Sequence, residues 1–428
     1  MSRQFVRSRL MPVAALAAAA ITLAACSSTS GSSSAAGNTA GNTAGNTAGN
    51  AAGNAAGNTA GNTASGSTWV IGNIGSYSGP NASAYGNAGQ VLQAWADSVD
   101  ASGGINGHQI KVVVMDDGNS ASTALSEVKE LVQQDHVLAI VGEMSSPAET
   151  WASYVQQQGV PVIGGNTIDP VFDSNPDFFP VGATPDESVY DAIAATKATS
   201  PRGSVFYCTE NPACAALVPG VRSAYTRADG SLVLPAPISV TAPDYTAECL
   251  AAKGDHVQSV IIYAPATTQL TIAQNCATQG YFPTLMGDGV SFTQQFASSF
   301  SGVNGAKILI SDDVFPFFDQ STPAEQAFHA ALAKYAPSVL ASSTFTENDA
   351  TEWASAQLFA LAAKKLGTSP TPSQLTSALY GLSGTTVGGL TPPLHFQQGK
   401  PSSVSCIYVV TVSGGKFATP DGSQLFCP

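Results

Sequence analysis

The chain has 428 residues, of which 44% are hydrophobic and 11% charged, and its formal net charge is −13. That length exceeds a single hydrophobic core and suits two, and the composition is that of a globular protein. A nucleic-acid binder needs the opposite sign of charge to pair with phosphates, so that class is excluded.

The N-terminus sets the compartment. Arg3, Arg7 and Arg9 precede a short, Ala-rich apolar run. The run is shorter than the ~20 residues of a spanning helix and reads as a signal peptide over 1–25. It ends Leu23-Ala24-Ala25-Cys26, which resembles the bacterial lipoprotein cleavage box and makes Cys26 the expected lipidation site. Several acyl chains on one residue would form a durable membrane anchor, at ~0.8 kcal/mol per buried CH₂. Residues 26–67 follow as a low-complexity Gly/Asn/Thr/Ala stretch that cannot build a core. As a flexible coil it would span roughly 35 Å and act as a tether.

Ordered patterning begins at Trp69. Strands are expected at 69–74, 109–116, 137–141 and 160–164, with helices at 84–102, 123–134 and 147–158 between them. This alternation argues for an α/β fold with a parallel sheet covered on both faces. The pattern restarts with a helix at 187–199. Strands at 203–207, 257–263 and 307–311 alternate with helices at 214–228 and 267–280. Helices at 323–335, 347–366 and 372–380 and strands near 394–396 and 405–412 complete the chain.

Several helix starts share one grammar. Ser146-Pro147-Ala148-Glu149, Thr184-Pro185-Asp186-Glu187, Thr322-Pro323-Ala324-Glu325 and Thr371-Pro372-Ser373-Gln374 each offer a hydroxyl cap, a first-turn Pro and an acid or amide three residues on.

Once Cys26 is set aside for lipid, six cysteines remain, and an even number outside the cytoplasm suggests disulfides. Fifteen pairings are possible. Nearness favours Cys208–Cys214, Cys249–Cys276 and Cys406–Cys427. No metal site or cofactor is expected, because no CxxC pair occurs and His108, His136, His256, His329 and His395 are scattered.

A series of local patterns then converges. Ser78-Gly79-Pro80 follows the first strand, and Gly103-Gly104-Ile105-Asn106-Gly107 ends the first helix. Asp116-Asp117 ends the second strand, and Gly142-Glu143-Met144-Ser145-Ser146 follows the third. Val160-Pro161-Val162-Ile163 leads to Asn166-Thr167, and Leu285-Met286-Gly287-Asp288-Gly289 lies in the second half. Together these resemble the type 1 periplasmic binding proteins, in the branched-chain amino acid-binding group of ABC importers.

The resemblance implies two Rossmann-like lobes joined by a three-crossover hinge. The N-terminal lobe would comprise 68–186 and 317–392, the C-terminal lobe 187–316 and 393–428. It also implies a monomeric, lipid-anchored solute-binding protein on the extracellular face of the cell membrane. Such a protein would capture an amino acid or a related carboxylate or amide and deliver it to a membrane ABC permease. A ligand sensor of the same fold, uncoupled from transport, is the alternative.

In an open parallel sheet, ligands sit beyond the carboxyl ends of the strands, where helix N-termini suit anions. Ser146 matches the family serine that bonds a ligand carboxylate, and its other reading is a helix cap. Gly165 and Thr167 match a loop that offers backbone and hydroxyl bonds, and also fit ordinary turn chemistry. Asp288 matches an acid that neutralises an ammonium group, or is a turn aspartate between two glycines. Tyr85 matches an aromatic lining the site, with Tyr77 nearby, and either ring could simply pack. The family's tyrosine positions in the second lobe fall near Ala213 and Ala266, which puts leucine-like specificity in doubt. The loop between Cys208 and Cys214 could present Glu210 or Asn211 to the cleft. No GxSxG, HExxH or P-loop motif is present, so no catalytic residue is expected and the chain does not read as an enzyme.

Overall fold

The computed structural model describes residues 66–428 apart from 167, 168, 197, 198, 211 and 421. The signal peptide, Cys26, nearly all of the tether and Thr167 lie outside the described residues. No helix among the described residues is long and apolar enough to cross a membrane.

The first strand, Trp69–Gly75 (β1), is buried at every position but one. Near-continuous burial is what a parallel strand covered on both faces requires. After it come Ala82–Tyr85 (α1), Ala88–Ala101 (α2), Ile110–Asp116 (β2), Ala121–Gln133 (α3) and Ile140–Glu143 (β3). Glu149–Gln158 (α4), Val162–Gly165 (β4), Val171–Ser174 (α5) and Phe178–Phe179 (β5) complete this half. The single helix expected at 84–102 is thus broken: α1 ends at Gly86, whose N–H closes on Ala82 O at 3.0 Å, and α2 starts anew. The five strands pair in parallel in the order β2-β1-β3-β4-β5.

The second half repeats that winding. Its elements are Pro185–Thr196 (α6), Arg202–Cys208 (β6), Pro212–Ala216 (α7), Val218–Arg227 (α8), Ser231–Ile238 (β7) and Thr246–Gly254 (α9). Ser259–Tyr263 (β8), Ala266–Thr278 (α10), Thr284–Asp288 (β9), Gln294–Phe300 (α11) and Lys307–Asp312 (β10) follow. The parallel order is β7-β6-β8-β9-β10, so both sheets wind as 2-1-3-4-5.

The chain then returns to the first sheet with Pro323–Tyr335 (α12), Pro337–Leu340 (α13), Glu347–Ala363 (α14) and Pro372–Tyr380 (α15). Helix α14 packs on β3, β4 and α2 and is buried on almost every side. Thr322 and Thr371 form full capping boxes with Glu325 and Gln374, as the sequence grammar indicates. A small hairpin joins Ser383–Thr385 (β11) to Leu394–His395 (β12). Ile407–Ser413 (β13) then adds antiparallel to β10, with Lys416–Ala418 (β14) and Leu425–Phe426 (β15) on its other side.

Three passages connect the halves, and they touch one another. Phe315 N–H donates to Leu390 O at 3.0 Å and Thr184 N–H to Val404 O at 3.0 Å. Ser188 Oγ donates to Asp313 Oδ1 at 2.7 Å. Phe396 still packs edge-on against Phe179 of the first lobe, with centroids 5.1 Å apart. Beyond Phe396 the chain passes to β13 of the second sheet.

Three cysteine pairs stand at bonding distance: Cys208–Cys214, Cys249–Cys276 and Cys406–Cys427. Cys249 and Cys276 tie α9 to α10 inside the core.

Candidate functional site

In a 2-1-3-4-5 sheet the winding reverses between strand 1 and strand 3, which opens a crevice at their carboxyl ends. In the first lobe this point lies between β1 and β3, and the chain there supplies Ser76, Tyr77, Ser145 and Ser146. In the second lobe it lies between β6 and β8, which end at Cys208 and Tyr263.

Local bonding fixes the first-lobe corner. Ser76 Oγ donates to Asp117 Oδ1 at 2.7 Å and accepts the Ser146 N–H at 3.2 Å. The Ser145 N–H is donated to Glu143 Oε1 at 2.5 Å, and the Ser145 hydroxyl accepts Trp151 Nε1 at 3.1 Å. Ala148 N–H turns back to Ser145 O at 3.0 Å. Helix α4 consequently starts at Glu149, and no side chain caps it. The cap expected of Ser146 is not made: its Oγ instead accepts Asn81 Nδ2 at 2.6 Å, while the residue stays exposed.

Beside this corner lies a cavity of about 330 Å³, lined among others by Tyr85, Ser146, Glu149, Thr150, Asn166 and Asp169. Tyr85 and Ser146, expected at the site, share it. Gly165 ends β4, with φ 131° and its Cα against the backbone of Glu143. A Cβ there would collide with Glu143, so Gly165 lets β4 approach β3 and aims the next residue. That residue, Asn166, donates its N–H to Glu143 O at 2.6 Å and its Nδ2 to Tyr85 Oη at 3.2 Å. Asn166 is buried, and its Oδ1 has no partner. Asp169 is also buried; burial pushes its carboxyl up to about 6, and the nearby Glu149 charge adds to the effect. Asn166 and Asp169 stand on either side of Thr167 in the sequence, and neither was singled out there as a ligand-binding residue.

Tyr77 is placed differently. Its hydroxyl donates to Asn73 Oδ1 at 2.5 Å, inside the lobe, where burial and the Glu352 and Glu143 carboxyls raise its pKa. Asn73 Nδ2 in turn donates to Glu352 Oε1 at 3.0 Å. Tyr77 thus belongs to a polar layer behind the cavity.

From the second lobe, Asp288 ends β9 and accepts Ser291 Oγ at 3.0 Å. Burial raises its pKa; burial, then the Glu143 and Asp288 carboxyls, raise that of Tyr85 in the first lobe, and burial, then Asp288, that of Tyr263 in the second. Tyr263 was missed from the sequence, although it ends a strand at the switch point. Glu210 is exposed and accepts Val240 N–H at 3.0 Å and Ser239 Oγ at 2.5 Å. Asn211 lies outside the described residues. Among the described residues, no group of three His, Cys, Asp or Glu side chains could hold a metal ion.

A family model described as periplasmic binding protein matches residues 68–416. The chain belongs to the periplasmic binding protein family. Solved members of its type 1 fold align along most of their length. The fatty acid ABC transporter substrate-binding protein from Thermomonospora curvata is 19% identical, with TM-score 0.69, covering 85% of this chain and 93% of that one. The branched-chain amino acid transporter substrate-binding protein LivJ from Streptococcus pneumoniae, in complex with isoleucine, is 19% identical with TM-score 0.63, covering 84% and 100%. A solute-binding protein of an ABC transporter from R. palustris, in complex with benzoate, is 18% identical with TM-score 0.64, covering 84% and 97%. A curated amino acid binding protein from Pseudomonas aeruginosa is 34% identical over 102 residues, which is 24% of this chain and 27% of that relative. In this periplasmic binding protein the cavity residues come from the loops and first helical turns that follow the carboxyl ends of strands.

Proposed function

We propose that the chain is the extracellular, lipid-anchored solute-binding component of an ABC importer. It captures a small polar solute of the amino acid or amide class between its lobes and hands it to a membrane permease. The carrying observation is the cavity beside the first lobe's switch point that Tyr85, Ser146 and Asn166 line, with Asp288 of the second lobe acting on Tyr85. Three touching passages between the lobes supply a hinge, and hinge closure buries a solute without chemistry. The complexes of related proteins with isoleucine and benzoate, and the fatty acid named for a third, support small-molecule capture.

Cys26 is the proposed acylated residue, and the protein works as a monomer with Cys208–Cys214, Cys249–Cys276 and Cys406–Cys427 oxidised. The test is thermal melting of the purified chain against amino acids, amides, amines and organic acids. Native-state binding raises stability by about 2.7 kcal/mol at a hundredfold excess over Kd. A shift with one chemical class supports capture, and a folded chain that shifts with none contradicts it. Co-purification with a permease separates transport from sensing.

A further inference from the structure

The solute-capture reading leaves the ligand's charge open, and the cavity bears on it. An anionic ligand needs N–H donors or a cation. At the α4 corner the N–H groups of Ser145, Ser146 and Ala148 are already donated inside the protein, and Pro147 has none. The Asn166 N–H is likewise spent on Glu143 O.

The acceptors are in the opposite condition. Asn166, only 7% exposed, leaves Oδ1 unpartnered at the cavity, and Asp169, 7% exposed, lies three residues on. Glu149 stands at the rim, and no lysine or arginine lines the cavity. Asp288 adds a further carboxyl close enough to act on Tyr85. The ion pair Arg227–Glu187 lies elsewhere, on the surface of the second lobe. A buried acceptor without a donor is unfavourable, so the cavity favours a donor-rich guest. Tyrosine faces favour the same sign of charge.

We infer that the site takes a net cationic ligand, whose ammonium or guanidinium head donates to Asn166 Oδ1 and Asp169 beside the Tyr85 ring, with Asp288 completing the charge from the second lobe. This rests on the solute-capture reading. Monoanions of the benzoate or fatty-acid kind would meet the Glu149 and Asp169 carboxylates with no lysine or arginine at the cavity to offset them.

The test is titration calorimetry on the purified full chain with agmatine, putrescine and L-arginine, L-leucine as zwitterion and benzoate as anion. The cations are expected to bind, and Asp169→Asn to weaken agmatine by about tenfold or more, as loss of one partner of a buried charge pair does. Asn166→Asp, which adds a charge at the orphan acceptor, is expected to keep or strengthen agmatine binding. Circular dichroism checks that each variant is folded. Binding of L-leucine or benzoate with the cations inert overturns the charge assignment and leaves solute capture standing. Agmatine binding unchanged in both Asp169→Asn and Asp288→Asn overturns the proposed seat. Silence from every probe overturns both readings.

Discussion

The Glu347 carboxylate, at the first turn of α14, accepts the N–H of Val314 at 3.3 Å and that of Asp313, both in the second passage between the lobes. Its other oxygen faces Asp312 across Gly289; burial raises both carboxyls well above the usual range, with Asp313 and Asp288 adding to it for Asp312, and Asp312 and Asp313 for Glu347. A helix of one lobe therefore holds the strand that leads out of the other. Glu347→Ala would leave two buried N–H groups without an acceptor, at about 1–3 kcal/mol each. Glu347→Gln keeps an acceptor and removes the charge. Urea unfolding at neutral pH is expected to show a clear loss for the alanine variant and little loss, or a gain, for glutamine. Equal losses would show that the charge, not the acceptor, matters.

Gly289 sits where a Cβ would run into both Asp312 and Glu347. Gly289→Ala must displace one of these carboxyls, and overpacking of this kind costs typically 1–3 kcal/mol. The melting temperature of the variant reads the cost. An unchanged value would mean that the carboxyls are not held against each other.

Several buried acids titrate upward: Asp349 to about 7, through burial, and Asp169 and Asp191 to about 6. A carboxyl whose folded pKa is raised takes up a proton more readily folded than unfolded. Its stabilising contribution is present below the unfolded value near 4 and is lost as pH rises through 6 to 7. Stability should thus fall between about pH 5 and pH 7.5, the reverse of ordinary acid denaturation. Melting temperatures across that range check it, and Asp349→Asn should flatten the slope. A stability that rises over the same range contradicts the assignment.

Cys249–Cys276 closes a sequence separation of 27 inside the core, whereas Cys208–Cys214 spans only 6. In the chain-entropy model the longer loop contributes about 3–4 kcal/mol. Replacing Cys249 and Cys276 by serine should lower stability far more than replacing Cys208 and Cys214, as measured by denaturant unfolding. Similar effects from both pairs would contradict the entropic account.

The sequence revealed what is local. Continuous apolar runs marked the buried strands, and Thr322 and Thr371 marked helix starts because cap and partner lie three residues apart. Long-range choices were not legible. Ser146 has a capping sequence, yet its hydroxyl is taken by Asn81, 65 residues away. Tyr77 reads like a site aromatic until Asn73 draws its hydroxyl inward. Asn166 and Asp169 become a pair only because Gly165 lets β4 close on β3. Tyr263 gains its place from the strand order, which no local pattern encodes.

Native mass spectrometry of the purified full chain, after incubation with a mixture of amino acids, amines, amides and organic acids, tests solute capture most directly. The expected result is one small solute bound per chain, lost when Tyr85→Ala and Asp288→Ala are combined in a folded variant. A folded chain that carries no small-molecule adduct, or one whose adduct survives both substitutions, would contradict capture at this site.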